Sequence, residues 1–337
     1  MPKAKEYIYR PTPDGAGSLV LAEKAEPKTM EGDRTLYIHE PPPSPIGAKP
    51  GILILMDGQR EVMPPEEDIP STPSILDRLY EDKQLAPQVS IFIPPGPEGR
   101  WHEYACNDDF TTFLNNKLVP LLQMSPAEGG FGCSSDRRQA TIGGTSFGGL
   151  AATHAALSHP ETFGNVLAQS PAFWWYKGWE DINENERFNP TNGREAGAGN
   201  MTWLDNSAYP EYDPKNSIKF YVEGGEKEGA PDNFPPAKEL NRLFQERLLE
   251  KGYQHTILNP HMAEGQHYER FWQANKASAL VSLQPSPELL AARERMQEFR
   301  SEMPQKPPDL TVSQEDERKD DSLASPLRIT PKPPWEQ

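Results

Sequence analysis

The stretch TIGGTSFGGLAATHAAL, residues 141–157, places small residues on both sides of Ser146. Gly144 and Gly148 complete the pattern G-x-S-x-G, in which a serine occupies a sharp turn between a strand and a helix. A Cβ atom at either flanking position would collide with a neighbouring strand or helix, which explains the need for small residues there. The stretch therefore predicts a strand, a tight turn and a helix that together expose the hydroxyl group of Ser146.

Short apolar runs separated by turn residues predict strands along most of the chain. These runs are residues 34–40, 51–57, 89–95, 139–146, 164–170, 218–224 and 253–259. Several are apolar without alternation, which is typical of strands covered on both faces. Between them, residues 71–85 and 235–252 carry apolar side chains at helical spacing. The alternation of strands and helices predicts an α/β domain with a mostly parallel central sheet flanked by helices, at about residues 28–283.

Three segments fall outside this pattern. Residues 1–27 are polar and weakly patterned, and we expect a flexible N-terminal segment or a loosely attached edge. Residues 176–216 form a long polar insertion, and loops of this length are lids, binding elements or disordered segments. Residues 284–337 contain one possible helix followed by a tail rich in proline and charge, which we expect to be disordered.

Charge and composition restrict the classes of partner. The formal net charge of -16 disfavours nucleic acid and anionic membranes as main partners, because both bind basic surfaces. We find neither an apolar run long enough to span a bilayer nor a secretory signal. The two cysteines, Cys106 and Cys133, are too few for a disulfide framework. A cytoplasmic protein with a small-molecule substrate is the simplest interpretation, and the sequence leaves its oligomeric state open.

A serine nucleophile needs an imidazole base, which is itself oriented by a carboxylate. His154 and His159 fall in or at the end of the helix predicted after Ser146, and His255 falls in a predicted strand. His267 follows Gly265 and precedes an apolar and aromatic run that predicts the last helix of the domain. We therefore expect His267 to be the base, with His261 as the lesser alternative.

The acid of such a triad should follow the strand predicted at residues 218–224. Four carboxylates crowd this position: Glu223, Glu226, Glu228 and Asp232. We select Glu228 and leave the other three open. For the oxyanion, the backbone N–H of Phe147 and a second N–H from Gly58 or Gln59, after the strand at 51–57, are the expected donors.

Four segments together resemble the catalytic domain of enterochelin esterases and related siderophore hydrolases, within the esterase D-like α/β-hydrolases. They are ILILMDGQ, GRWHEYACNDDF, GGTSFGGLAATHAALSHPETFGNVLAQSPAFWW and EGQHYERFW. The similarity covers about residues 30–280. It implies an α/β-hydrolase fold and a serine esterase that hydrolyses the ester bonds of cyclic triester siderophores inside the cell, so that iron is released.

The resemblance also assigns roles to residues of this chain. It implies Ser146 as nucleophile, His267 as base and Glu228 as acid. Further residues match segments that border the family's pocket: Arg100, Glu103, Asn107, Trp174 and Trp175. The mechanism needs no metal or organic cofactor, because iron arrives as part of the substrate.

Two features separate this chain from the family pattern. Only 50 residues precede Gly51, so we do not expect the additional β-rich domain that many members carry before the hydrolase. A ferric tricatecholate is strongly anionic, and the chain would have to offset its own negative charge with a local basic patch. Arg60, Arg100 and Lys177 are the candidates for that patch. A hydroxamate ester would avoid the conflict, and the siderophore class therefore stays open.

Two other functions compete with siderophore hydrolysis. One is a carboxylesterase of the same fold that acts on feruloyl, short acyl or thioester substrates. The other is a catalytically silent binding protein that keeps the fold. Hydrolysis that depends on Ser146 would distinguish both kinds of esterase from the binding protein.

Overall fold

A computed structural model describes most of the chain. The described residues are 4–12, 17–24, 32–43, 47–177, 201–206, 208–228, 236–253, 257–258, 261–262 and 265–302. One compact unit extends from Met1 to Arg293, and a second extends from Glu294 to Gln337. Of the second unit, the structure describes residues 294–302.

Ten strands within the described residues form one sheet. They are β1 Lys5–Arg10, β2 Ser18–Leu21, β3 Arg34–His39, β4 Gly51–Met56, β5 Gln88–Ile93, β6 Ala140–Thr145, β7 Asn165–Gln169, β8 Lys219–Gly225, β9 Ile257–Leu258 and β10 His261–Met262. Their spatial order is β10-β8-β7-β6-β4-β5-β3-β1-β2, and β9 also pairs with β8.

The sheet is parallel where it carries the predicted chemistry. Strands β5, β4, β6, β7 and β8 pair in parallel, and both β9 and β10 add to β8 in parallel. Strands β3, β1 and β2 extend the other side in antiparallel pairs. The carboxyl ends of the parallel strands therefore meet at one edge, which is where α/β sheets place their sites.

Helices cover both faces of this sheet. They are α1 Gly58–Val62, α2 Thr72–Glu81, α3 Arg100–Tyr104, α4 Asp108–Phe113, α5 Val119–Gln123, α6 Phe147–Ser158, α7 Ala237–Glu250 and α8 Glu269–Leu283. A further helix, α9 Pro287–Glu302, follows α8 in the chain. A π-helical turn, Leu114–Leu118, joins α4 to α5. No helix among the described residues has both the length and the apolar character needed to span a bilayer.

Alternate residues of the central strands build two cores. Ile52, Ile54 and Met56 of β4 belong to the larger core, with side chains from α4, α5, α6 and α7. Leu53 and Leu55 point to the opposite face and pack with α2 and α8. Burial on both faces accounts for the unbroken apolar run of β4, because no residue of that strand meets solvent.

The structure confirms the predicted mostly parallel sheet flanked by helices. Of the two alternatives for residues 1–27, the residues that it describes form an edge of this sheet. Residues 5–10 and 18–21 are strands, and β1 pairs with both β2 and β3. Ile8 and Tyr9 are buried, so this segment is held by packing as well as by backbone hydrogen bonds. In the insertion, residues 178–200 and 207 lie outside the described part, as does the tail from residue 303.

The second half of the insertion is packed against the body of the unit. Trp203, in a short 3-10 helix at Thr202–Asp205, is buried with its ring centroid 5.4 Å from that of Phe173. Tyr209 places its hydroxyl 2.6 Å from Nδ1 of His154. Aromatic residues in an otherwise polar segment make these contacts. The polar composition alone predicts a loop, and it does not predict this packing.

His154 is fully buried in α6, the helix that follows the serine turn. Its Nδ1 meets Tyr209, and its Nε2 lies 3.1 Å from the carboxylate of Asp108. Burial lowers the pKa of this imidazole, against the opposing effect of Asp108, and His159 lowers the pKa further. The side chain therefore ties α4 and the insertion to α6 as a neutral group.

We expect His154 to make stability depend on pH. Its pKa is lower in the folded protein than in the unfolded chain, so its contribution is complete above about pH 6.5 and is lost as the pH falls towards the folded value. Between pH 6.5 and 5.5, the unfolding free energy of the native protein should fall more steeply than that of His154→Gln, by up to about 1.4 kcal/mol per pH unit. Urea titrations of both proteins at each pH measure the difference. Equal slopes would contradict this account.

Candidate active site

Ser146 occupies a strained turn between β6 and α6. Its backbone dihedral angles, φ 55° and ψ -120°, lie outside the regions that residues with a side chain adopt easily. The Ser146 N–H donates to the carbonyl of Gln169 at 2.9 Å, and its own carbonyl accepts the N–H of Ala172 at 3.0 Å. The end of β7 therefore fixes the turn on both sides of Cα, and the side chain stays partly accessible.

The two glycines around Ser146 are there because backbones approach closely. A Cβ on Gly144 would lie 2.7 Å from the carbonyl carbon of Gly148, and one on Gly148 would lie 2.8 Å from Cβ of Met56. Neither position tolerates a side chain without moving the turn. This geometry supplies the physical reason for the G-x-S-x-G pattern in this chain.

His267 and Glu228 are within hydrogen-bond distance. Nδ1 of His267 lies 3.1 Å from Oε2 of Glu228. The imidazole side chain is 49% exposed, whereas the carboxylate side chain is 7% exposed. The other carboxylate oxygen, Oε1, accepts the hydroxyl of Ser170 at 2.5 Å and the N–H of Gly225 at 3.0 Å. A buried acid with three partners can thus orient a ring that reaches solvent.

Close backbone packing brings the His267 loop to the end of β8. A Cβ on Gly225 would overlap the carbonyl of Gly265, so glycine permits the contact. The N–H of Lys227 then donates to the Gly265 carbonyl at 2.9 Å. This junction holds together the turn that carries Glu228 and the loop that carries His267.

The structure describes two of the other three candidate acids, and no hydrogen bond to His267 is seen for either among the described residues. Glu223 is buried in β8, where Gln169, Tyr221 and Asn275 donate to its carboxylate. Burial raises its pKa despite these hydrogen bonds, and the group serves the packing between the sheet and α8. Glu226 is exposed in the turn, and Asp232 lies outside the described residues.

Among the described residues, none of the alternative histidines pairs with a carboxylate next to the Ser146 turn. His154 is the buried group described above, and His159 lies at the end of α6 beside Glu161. His261 belongs to β10, and its side chain lies outside the described part of the chain, as does the whole of His255.

The turn after β4 lies against the serine turn. Asp57 adopts a left-handed conformation, with φ 55° and ψ 40°. A Cβ on Gly148 would lie 3.3 Å from the Asp57 carboxylate oxygen Oδ2, so the two turns are close together. Arg100 clamps that carboxylate with two hydrogen bonds of 2.8 Å and donates a third, of 3.2 Å, to the carbonyl of Thr145. Gly58 has no room for a Cβ beside the backbone of β5. The backbone N–H groups predicted for the oxyanion therefore belong to two adjoining turns.

The predicted substrate-binding residues have mixed positions. Arg100 is committed to Asp57 and Thr145, so the structure gives it a role in holding the turns where a substrate contact was expected. Arg60 is exposed and forms an ion pair with Glu269 at the start of α8. Lys177 is exposed at the end of a described segment.

Two further predicted residues have structural contacts within the chain. Asn107 caps α4 by accepting the N–H of Phe110 at 3.0 Å, and its amide donates to the His102 carbonyl. Trp175 is a buried member of the larger core, and its neighbour Trp174 stands partly exposed with its ring centroid 5.5 Å from that of Phe147. Helix capping and core packing thus account for Asn107 and Trp175.

Sequence reasoning missed two residues that hold the acid. The Ser170 hydroxyl donates to Glu228 and receives the indole N–H of Trp272 at 2.8 Å, and the Trp272 ring stands edge-on to His267 at 5.0 Å. The pair Gln-Ser after a predicted strand was a usable signal for Ser170. Trp272 carried none, because its position in α8 is typical of a core residue. Within the described residues, no group of three or more His, Cys, Asp or Glu side chains is arranged to hold a metal ion.

The chain is similar in sequence to proteins named as siderophore esterases. Over 127 residues the chain is 36% identical to the iron(III) enterobactin esterase of Escherichia coli K12, covering 37% of this chain and 29% of that protein. Over 98 residues it is 36% identical to the siderophore triacetylfusarinine C esterase of Aspergillus fumigatus, covering 29% of this chain and 30% of that protein. The chain therefore matches only about a third of the length of these relatives.

A solved structure extends the comparison to the fold. The enterobactin esterase from Shigella flexneri, determined in the presence of enterobactin, superposes with a TM-score of 0.56 at 22% identity. The match covers 84% of this chain and 60% of that one, and it shows that the two share an α/β-hydrolase fold. The family model Esterase, described as "Putative esterase", matches residues 27–282, more than half of the chain, and the chain therefore belongs to the Esterase family.

Proposed function

We propose that the chain is a serine esterase that hydrolyses ester bonds of a siderophore and thereby releases iron inside the cell. The observation that carries the proposal is the hydrogen bond between Glu228 and His267 at the sheet edge where the strained Ser146 turn exposes its hydroxyl. The similarity to relatives named as enterobactin and triacetylfusarinine C esterases supports the substrate.

The arrangement supports a defined path for the proton. Glu228 accepts the Nδ1 proton of His267, which leaves Nε2 as the acceptor for the Ser146 hydroxyl proton. The serine oxygen then attacks the ester carbonyl carbon, and the carbonyl electron pair moves onto oxygen. Collapse of this intermediate expels the alcohol, which takes the proton from His267 and leaves an acyl group on Ser146. Water, activated by the same imidazole, releases the acid and restores the serine.

The two turns beside Ser146 support stabilisation of the oxyanion. The Phe147 N–H stands at the start of α6, and the N–H of Gly58 or Gln59 follows the Asp57 turn. In a site from which water is displaced, donors that are already oriented stabilise the developing charge without reorganisation. Arg100 contributes by holding both turns through Asp57 and Thr145, so its role in this proposal is positioning.

Replacement of Ser146 by alanine should abolish hydrolysis. The change keeps Cβ, so the strain of the turn is unaltered, and only the nucleophile is lost. We expect kcat to fall by about 10⁵-fold or more, as when a triad serine is removed from a hydrolase. The measurement is the rate at which hydrolysis products form, followed by mass spectrometry. The substrates are ferric enterobactin, ferric triacetylfusarinine C and a feruloyl ester.

The matched control is Ser278→Ala, which removes an exposed hydroxyl from α8 and should retain full activity. Cleavage of the feruloyl ester alone would replace the siderophore function with that of a general esterase. The absence of Ser146-dependent cleavage from all three substrates would leave a binding protein.

Glu228→Gln should lower kcat by about 10³- to 10⁴-fold. Ser170 and Gly225 both donate to Oε1, so the amide oxygen of glutamine would take that position and its NH₂ group would face Nδ1 of His267. The imidazole would then carry its proton on Nε2, where it cannot accept one from Ser146. The control Glu226→Gln changes an exposed carboxylate in the same turn and should keep normal turnover. A near-normal Glu228→Gln together with an inactive Asp232→Asn would reassign the acid.

A further inference from the structure

Carboxylates neutralise the arginines on the elements around the site. Arg100 is bound to Asp57 through both oxygens at 2.8 Å. Arg60, on the helix that follows that turn, forms an ion pair with Glu269. Each guanidinium that the structure describes on α1 and α3 thus meets an acid of this chain before it meets a substrate.

The same holds on the side of the base. Arg270, three residues after His267, donates to Glu66 at 2.5 Å and to Asp68 at 2.7 Å. Paired charges of this kind produce little net attraction for a distant anion, because their fields cancel beyond the pair.

Two exposed aromatic side chains lie next to groups of the candidate site. Trp101 of α3 is 52% exposed, and its ring centroid lies 4.5 Å from that of Phe147. Tyr268, directly after His267 in the chain, is 38% exposed. Exposed aromatic rings beside a reactive centre offer apolar contact area to a ligand.

Charge separates the two main chemical classes of ester siderophore. Ferric complexes of three catecholates are polyanions, whereas ferric complexes of three hydroxamates carry no net charge. A polyanion would approach a chain of net charge -16 and meet arginines that are already paired. A neutral complex has no such electrostatic cost, and its aliphatic arms can pack on Trp101 and Tyr268.

We infer, on the basis of the proposed siderophore esterase function, that the substrate is a neutral hydroxamate ester and that Trp101 and Tyr268 contact its apolar arms. Selection then comes from apolar contact with Trp101 and Tyr268. It also comes from the pairing of Arg60, Arg100 and Arg270 with carboxylates, which leaves these three arginines little net attraction for an anion. The triad and the oxyanion turns act on the ester bond in either chemical class.

The test compares three cyclic triesters: ferric triacetylfusarinine C, ferric enterobactin and iron-free enterobactin. At low ionic strength, kcat/KM should be at least about tenfold higher for the neutral hydroxamate than for ferric enterobactin, and added salt should narrow the difference by screening. Iron-free enterobactin has the acyl groups of ferric enterobactin without the charge of the chelate, and it should be cleaved faster than the ferric form.

Equal or faster cleavage of ferric enterobactin at low salt would overturn the inference and leave the proposed siderophore esterase standing. Cleavage of none of the three triesters, by an enzyme that hydrolyses a simple feruloyl ester, would overturn the proposed function itself. The two failures are therefore distinguishable in one set of assays.

Two variants test the parts of the inference separately. Glu269→Gln removes the partner of Arg60 and should raise kcat/KM for ferric enterobactin by about two- to fivefold, with no gain for the neutral hydroxamate. Trp101→Ala should raise KM for the neutral hydroxamate by about tenfold with kcat nearly unchanged, and Trp101→Phe should restore most of the affinity. Leu249→Ala, which truncates an exposed apolar side chain on α7, is the matched control. Equal effects of Glu269→Gln on both substrates, or an unchanged KM for the neutral hydroxamate in Trp101→Ala, would contradict the inference.

Discussion

The backbone at Ser146 is the constraint on which the rest of the site depends. A serine at positive φ is an unfavourable conformation, and it persists because neighbouring backbone leaves no alternative. Gly144 and Gly148 allow the strand and the helix to approach, and the end of β7 supplies hydrogen bonds on both sides of the turn. Packing of the central sheet thus offsets the local strain, and the hydroxyl is held outside both elements.

A chain of hydrogen bonds carries that rigidity across the sheet edge. The indole N–H of Trp272 donates to Ser170, whose hydroxyl donates to Glu228, and the carboxylate faces His267. On the other side of Ser146, Arg100 connects the Asp57 turn to the last residue of β6. Groups from four parallel strands are therefore fixed relative to one another by side chains that themselves take no part in bond breaking.

The sequence predicted the elements whose pattern is local. Apolar runs located β3 to β8 and helical spacing located α2 and α7, because burial on both faces or on one stripe leaves a direct record in the residues. The N-terminal strands were missed, since β1 and β2 are short and only partly buried, and their pairing with β3 depends on contacts distant in the chain.

The site divides in the same way. Ser146 and its glycines, the position of His267 and the choice of Glu228 followed from motif and chain order, and the geometry brings the last two together. The roles of Arg100, Asn107 and Trp175 could not be derived, because an ion pair, a helix cap and a core contact use the same residue types as a substrate pocket. Only the positions of Asp57, Phe110 and the larger core distinguish these roles.

The anchoring of Glu228 has a consequence for the evolution of this chain. Its carboxylate is held by Gly225, three residues earlier in the same turn, and by Ser170 on a neighbouring strand. Neither anchor draws on the chain that follows the acid. Changes of sequence after Glu228 therefore leave both of these anchors in place, and loops are where sequence varies most among related proteins. New substrate ranges can then arise by loop divergence while the hydrolytic chemistry is inherited unchanged.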